Sequence, residues 1–178
     1  MEENAKPMWR ISLNFGLVTG LIIIIFNLIM YLLDLSTDPD AGWLNLLVYA
    51  FLIGGMVWGA KAYRDIHNAG FASYGQAFSA AFLVGLFASI LSAVFTYLLY
   101  KFDPSLIDKM IMIAEERIYE QGLEGEQLEQ ALAIQSKFTS PLVISIMSLI
   151  WITVVNVIAA MIIAAFIKRE DSSLQTGI

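Results

Sequence analysis

Glutamates gather in one stretch of this chain: Glu115, Glu116, Glu120, Glu124, Glu126 and Glu129. Carboxylates four apart, such as Glu116 and Glu120, share a helix face and could offer two oxygens to Ca²⁺ or Mg²⁺. Both ions want several further ligands in fixed geometry, and this spacing matches no defined calcium loop. The expectation is a solvated acidic face, with Glu115, Glu116 and Glu120 as the surface a partner protein would meet. His67 is the single histidine and there is no cysteine. Disulfides, thiolate metal sites and thiol nucleophiles are therefore excluded, and His67 reads as a turn residue with no second ligand to join it. No Gly-rich phosphate loop, Ser/His/Asp arrangement or basic nucleic-acid surface can be assembled from the remainder. The expectation is a protein that is not an enzyme, carries no metal or cofactor and binds no nucleic acid.

A second set of polar residues sits inside apolar sequence: Asn14, Asn27, Asn45 and Asn156. None is ionisable. Proton- or ion-coupled transporters, voltage sensors and intramembrane proteases usually need a buried acid, histidine or lysine to bind or relay charge. Two readings remain for Asn14, Asn27 and Asn156: hydrogen bonds between helices, or part of a polar substrate path.

The elements that must position these residues follow from charge spacing. Of the 178 residues 58% are hydrophobic and 15% charged, and four tracts carry no charge at all: 11–33, 41–60, 68–100 and 138–167. Each is long enough for the ~20 apolar residues that carry a helix across a ~30 Å hydrocarbon core. The sequence predicts spans at about 11–33, 43–61, 74–100 and 141–167 in a single four-helix membrane domain, with an extramembrane hairpin at about 103–138. If all four tracts span, the segments holding Lys6, Arg10, Lys61, Arg64, Lys168 and Arg169 share one side. The other side receives Asp34, Asp38 and Asp40 with no base between them, then a segment in which acids outnumber bases two to one. That asymmetry predicts both termini in the cytoplasm. The first apolar run is too long for a secretory signal and lacks a small-residue cleavage motif, so it reads as an uncleaved anchor.

Local signals mark the helix ends. Ser73 and Gln76 have capping-box spacing, Ser140-Pro141 sets a favoured N-cap before a proline at N1, and Asp103-Pro104 has the same form. Trp151 falls near mid-membrane, where its indole N–H is expected to face a neighbouring helix. Small residues recur every four positions in the third span, through Ala81, Gly85 and Ser89, making a strip for close helix approach. Gly16 and Gly20 in the first span and Gly55 and Gly59 in the second have the spacing that lets backbones meet. Packing within the bundle and a homodimer seam both fit these motifs.

In the extramembrane segment Leu106, Ile107, Met110, Ile111, Ala114 and Ile118 follow a helical period that should stop near Gly122. Beyond Gly125, Leu128, Ala131, Leu132 and Phe138 form a weaker stripe. A helical hairpin would bury one stripe on the other or rest both on the bundle.

The run Tyr63-Arg64-Asp65, then 70–78 (GFASYGQAF), a span with Gly85 and Ser89, and the acidic segment opened by Asp103-Pro104 resembles a bacterial family. It is the domain-of-unknown-function family four-one-nine-nine, small four-span membrane proteins found mainly in Bacteroidota. The resemblance implies a four-helix bundle in the cell inner membrane, and it supplies no activity, substrate or site residue. Two function classes stand open: a non-enzymatic structural, sensory or accessory module with a membrane or periplasmic protein partner, and a small transporter or channel acting as a homo-oligomer. In either case the lipid bilayer is a partner.

Overall fold

The computed structural model describes residues 7–120, 122 and 125–169. Among them six α-helices follow in chain order: α1 (Met8–Leu32), α2 (Asn45–Ala62), α3 (Tyr74–Phe102), α4 (Ser105–Glu120), α5 (Glu126–Phe138) and α6 (Pro141–Ile167). Helices α1, α3 and α6, and α2 with its flanking turns, are long and apolar enough to cross a membrane. The protein is therefore an all-α membrane protein, with α4 and α5 forming a hairpin between the third and fourth spans.

The helix ends have identifiable chemistry. At Ser73 the hydroxyl accepts from the Gln76 backbone N–H at 3.3 Å while the Gln76 amide oxygen accepts from the Ser73 N–H at 2.9 Å, a complete capping box. Ser140 Oγ accepts from the Val143 N–H ahead of Pro141 at N1. Helix α1 begins at Met8, three residues ahead of the sequence reading, and α3 runs on to Phe102; two other differences have a local cause. A 3-10 turn, Pro39–Leu44, takes up Trp43 and delays α2 to Asn45 because Asp38 caps that turn by accepting from the Asp40 N–H. Helix α4 opens at Ser105, since the Asp103 carboxylate accepts from both the backbone N–H and the hydroxyl of Ser105.

Helix α3 is the hub: it packs on α1, α2 and α6, while α1 and α2 also pack on each other and α2 touches α6 at few points. Two small-residue rows on α3 make this possible. Ala80, Val84 and Ala88 are all buried and face α1 and α2, where Gly16 lies against Phe87 and Val84, Gly20 against Ala88 and Gly59 against Val84. The other row, Ala77, Ala81, Gly85 and Ser89, is also buried; its Gly85 lies against Asn156 of α6 and Met56 of α2. Gly55 of α2 is in contact with Thr19 of α1.

This packing is concentrated in the half of the bundle next to the two chain termini. The buried cluster draws on Ile11, Met56, Ala60, Ala160, Ala164 and Ile167 together with the α3 rows. Its end is tied off: Arg64, in a π-helical turn (Tyr63–His67) that extends α2, donates to the Ile167 carbonyl at 2.9 Å, and Ala72 and Arg169 exchange backbone hydrogen bonds. Arg64 thus satisfies a carbonyl that the end of α6 would otherwise leave orphaned.

At the other end the hairpin is held by two side-chain pairs. Tyr31 at the end of α1 donates its hydroxyl to Asp103 Oδ2 at 2.8 Å, and Lys109 of α4 pairs with Asp34 at 3.1 Å. Leu106 and Ile107 are buried and α4 packs on α5, with Gln135 donating to the Ile111 carbonyl, whereas Met110 and Phe138 of the expected stripes are exposed. Gly122 and Gly125 both have positive φ, the backbone that ends one helix and turns the chain into the next.

Candidate functional site

Above the packed half, the four spans separate and line a partly open hollow of about 420 Å³, with Asn45, Ser148 and Trp151 exposed at its rim. Each helix contributes for a local reason. Asn27 and Ile23 lie one turn apart on α1, Asn45, Tyr49 and Leu52 begin α2, Ser92 and Thr96 continue the small-residue side of α3, and Ser148, Trp151 and Ile152 come from α6. A smaller hollow of about 140 Å³ shares Asn27, Asn45 and Thr96 and extends towards Ser36 and Thr37 in the first loop.

The polar and apolar groups are separated by depth. Helix rise places Thr96 ~9 Å and Ser89 ~20 Å below the last residue of α3. Asn27, Asn45, Thr96 and Ser148 lie around the upper part, and Ile23 and Ile152 line the lower part, with Leu52 at the level of Ser148. Ser89 and Ser92 are also in the lower part, but the Ser89 hydroxyl is bonded to Gly85 and Asn156 and Ser92 Oγ is shielded from the hollow. Among the described residues no acid, lysine, arginine or histidine lines the hollow. Ser92 Oγ is buried at the wall with no hydrogen-bond partner among the described residues. The wall is thinnest between α2 and α6, where the Trp151 indole N–H reaches the Tyr49 hydroxyl at 3.4 Å and the Trp151 ring stays exposed on the lipid side.

Beneath the hollow sits a polar pair. Asn156, fully buried, donates through Nδ2 to Ser89 Oγ at 2.9 Å, and Ser89 donates in turn to the Gly85 carbonyl at 2.7 Å. Asn156 Oδ1 has no partner among the described residues. The pair cross-links α3 to α6 and closes the lower end.

The three intramembrane asparagines are thus not on one path. Asn27 faces the hollow, Asn156 lies under its floor, and Asn14 is exposed on the outer surface of the bundle. Thirteen residues separate Asn14 from Asn27, which at 3.6 residues per turn sets them roughly 140° apart around α1. A polar path through Asn14, Asn27 and Asn156 is therefore not formed. Gly16, Gly20, Gly55, Gly59, Ala81, Gly85 and Ser89 all lie at helix contacts within the chain. The hydroxyls Ser92, Thr96 and Ser148 were not singled out from the sequence, although Ser89, Ser92 and Thr96 at offsets of three and seven do mark one face of α3.

A separate open groove lies outside the bundle, between the first loop and α4. Glu115, Glu116 and Glu120 line it with Asp34, Asp38 and Lys109. Glu116 and Glu120 are exposed and Glu115 is half-buried. No three metal-ligating side chains converge among the described residues, and Glu124 lies outside them. The Asp103 carboxyl beside this groove is held below the usual carboxylate range, first by the Ser105 hydroxyl and then by the Tyr31 hydroxyl.

A family model described as "Protein of unknown function (DUF4199)" matches residues 14–169. The chain belongs to this family. The match takes in α1 from Asn14 onward, the other three spans and the hairpin, so the hollow, its floor and the acidic groove all lie within the family region. No curated protein and no solved structure matches the chain.

Proposed function

We propose that this member of the family is a non-enzymatic sensory or accessory module of the bacterial inner membrane, with both termini cytoplasmic and the α4–α5 hairpin facing a periplasmic or membrane protein partner. The observation that carries this reading is the asymmetry of the bundle. A sealed half beside the termini, floored by the Asn156–Ser89 pair, offers no continuous polar route, whereas the opposite half is hollow and tied to the hairpin through Tyr31 and Asp103. A change in the hollow can thus reach the hairpin without anything crossing the membrane.

A photo-crosslinking amino acid at Glu116, used in native membranes, tests the partner role. The expected outcome is one discrete protein adduct that is lost when the hairpin acids are reversed. No adduct, together with solute flux through the purified protein in liposomes, refutes it in favour of a small transporter. The transporter reading draws its own support from the depth of the hollow, which reaches ~20 Å below the end of α3.

A further inference from the structure

We infer that the hollow between the four spans is a binding site for an uncharged amphiphile of the surrounding leaflet, one apolar chain carrying a hydroxyl or carbonyl head. The inference concerns a ligand and holds whether the protein acts as a module or as a transporter.

Depth gives the first reason. The hollow lies within the span of α3, at the level of lipid chains, so what fills it comes from the bilayer or is water. Its size falls within the ~300–1,000 Å³ typical of small-ligand sites, which are mostly apolar with a few placed polar groups and occur between helices of bundles.

The distribution of chemistry gives the second. Asn27, Asn45 and Thr96 lie on the side nearer the headgroups, and Ile23 and Ile152 on the side nearer mid-membrane. A lipid of that leaflet has the same polarity, head outward and chain inward, so it enters without turning over. The side-chain amides of Asn27 and Asn45, which make no hydrogen bond to the described residues, suit a head that both donates and accepts. A charged head finds no counter-ion on the wall and would be stranded in low dielectric.

Access gives the third. Helices α2 and α6 touch at few points, and at the level of the hollow the Tyr49–Trp151 pair bridges the gap between them. A chain can pass sideways from the bilayer through this gap, while the packed floor at Asn156, Gly85 and Met56 stops it at mid-membrane.

The test uses the full chain in phosphatidylcholine nanodiscs with monolauroylglycerol bearing a diazirine at the chain end, and dodecyl phosphate bearing the same group. Adducts of the glycerol probe are expected at Ile23 and Ile152, falling at least tenfold under excess unlabelled monolauroylglycerol. Asn27→Leu and Thr96→Val should each lower that labelling about threefold or more, the scale of one intramembrane hydrogen bond. Thr96→Val nearly keeps the side-chain shape and leaves the bundle folded, which keeps the test sound if Asn27→Leu disturbs it. Labelling spread over lipid-facing positions such as Leu21, Ile25 and Phe166 without competition would overturn the inference, as would equal labelling of the floor by the phosphate probe. A hollow holding only water gives no floor adduct and overturns it too.

Discussion

Replacing Gly85 by alanine tests the floor of the hollow at its tightest point. A Cβ built there would stand 2.7 Å from Asn156 Oδ1, 2.8 Å from its Cγ and 3.1 Å from Met56 Sδ. Ordinary contact needs a retreat of roughly 0.7 Å, and Asn156 is fully buried, so it has no free space to swing into. Moving it that far takes the 2.9 Å bond to Ser89 to the limit of hydrogen bonding. Overpacking costs about 1–3 kcal/mol and the lost interhelical bond about 0.6–1.7 kcal/mol, while helix propensity returns up to about 1 kcal/mol. The net expectation is a loss of roughly 2 kcal/mol, read by steric-trap unfolding in bicelles. Gly54 provides the control, because a Cβ there meets nothing within 4 Å, so Gly54→Ala should be neutral or slightly stabilising. Truncating the obstacle should relieve the clash: Gly85→Ala with Asn156→Ala should be more stable than the two single losses added together. Strict additivity, or equal stability of the Gly85→Ala and Gly54→Ala proteins, would refute the account of the floor.

Three further outcomes follow from the geometry. Cysteines at Ser36 and Gln127 should react with an impermeant thiol reagent in spheroplasts and one at Asn68 should not; the reverse pattern would invert the orientation. Because the Asp103 carboxyl is depressed in the folded state, its ties to Ser105 and Tyr31 contribute fully above the unfolded carboxylate range and are lost as pH falls through the folded value. Hydrogen exchange in α4, corrected for intrinsic rate, should therefore rise below about pH 4, the reference carboxylate value, and Asp103→Asn should abolish that dependence. Glu116→Lys with Glu120→Lys, both exposed, should alter stability by no more than about 0.5 kcal/mol and remove crosslinks to a basic partner.

What the sequence made legible is mostly what a single helix encodes. Ser73, Gln76, Ser140 and Pro141 announce helix starts because capping is settled within four residues. The small-residue strip of α3 is visible for the same reason, since fourfold spacing fixes a face without reference to neighbours. The hollow is not visible in this way. It exists because four helices part at one level, and the relative height and rotation of Asn27, Asn45, Ser92 and Ser148 come from packing between segments far apart in the chain. Asn14 is the instructive case, because its rotation away from Asn27 around α1 follows from helix geometry alone, whereas its exposure depends on where α2 and α3 sit. The Tyr31–Asp103 tie lies equally beyond local spacing, joining residues that only the closed bundle brings together.

The Asn156–Ser89 cross-link has a mechanical consequence for α6. It pins the helix near its middle, and the Arg64 and Ala72 bonds clamp the end beyond, leaving the stretch from Pro141 to Asn156 as a lever ~22 Å long. A tilt of about 10° about that fulcrum displaces its tip by ~4 Å, a ratio set by helix rise alone. Helix α5 is joined to that tip through Thr139 and Ser140, so a movement too small to register at the fulcrum becomes a full atomic diameter where the hairpin begins.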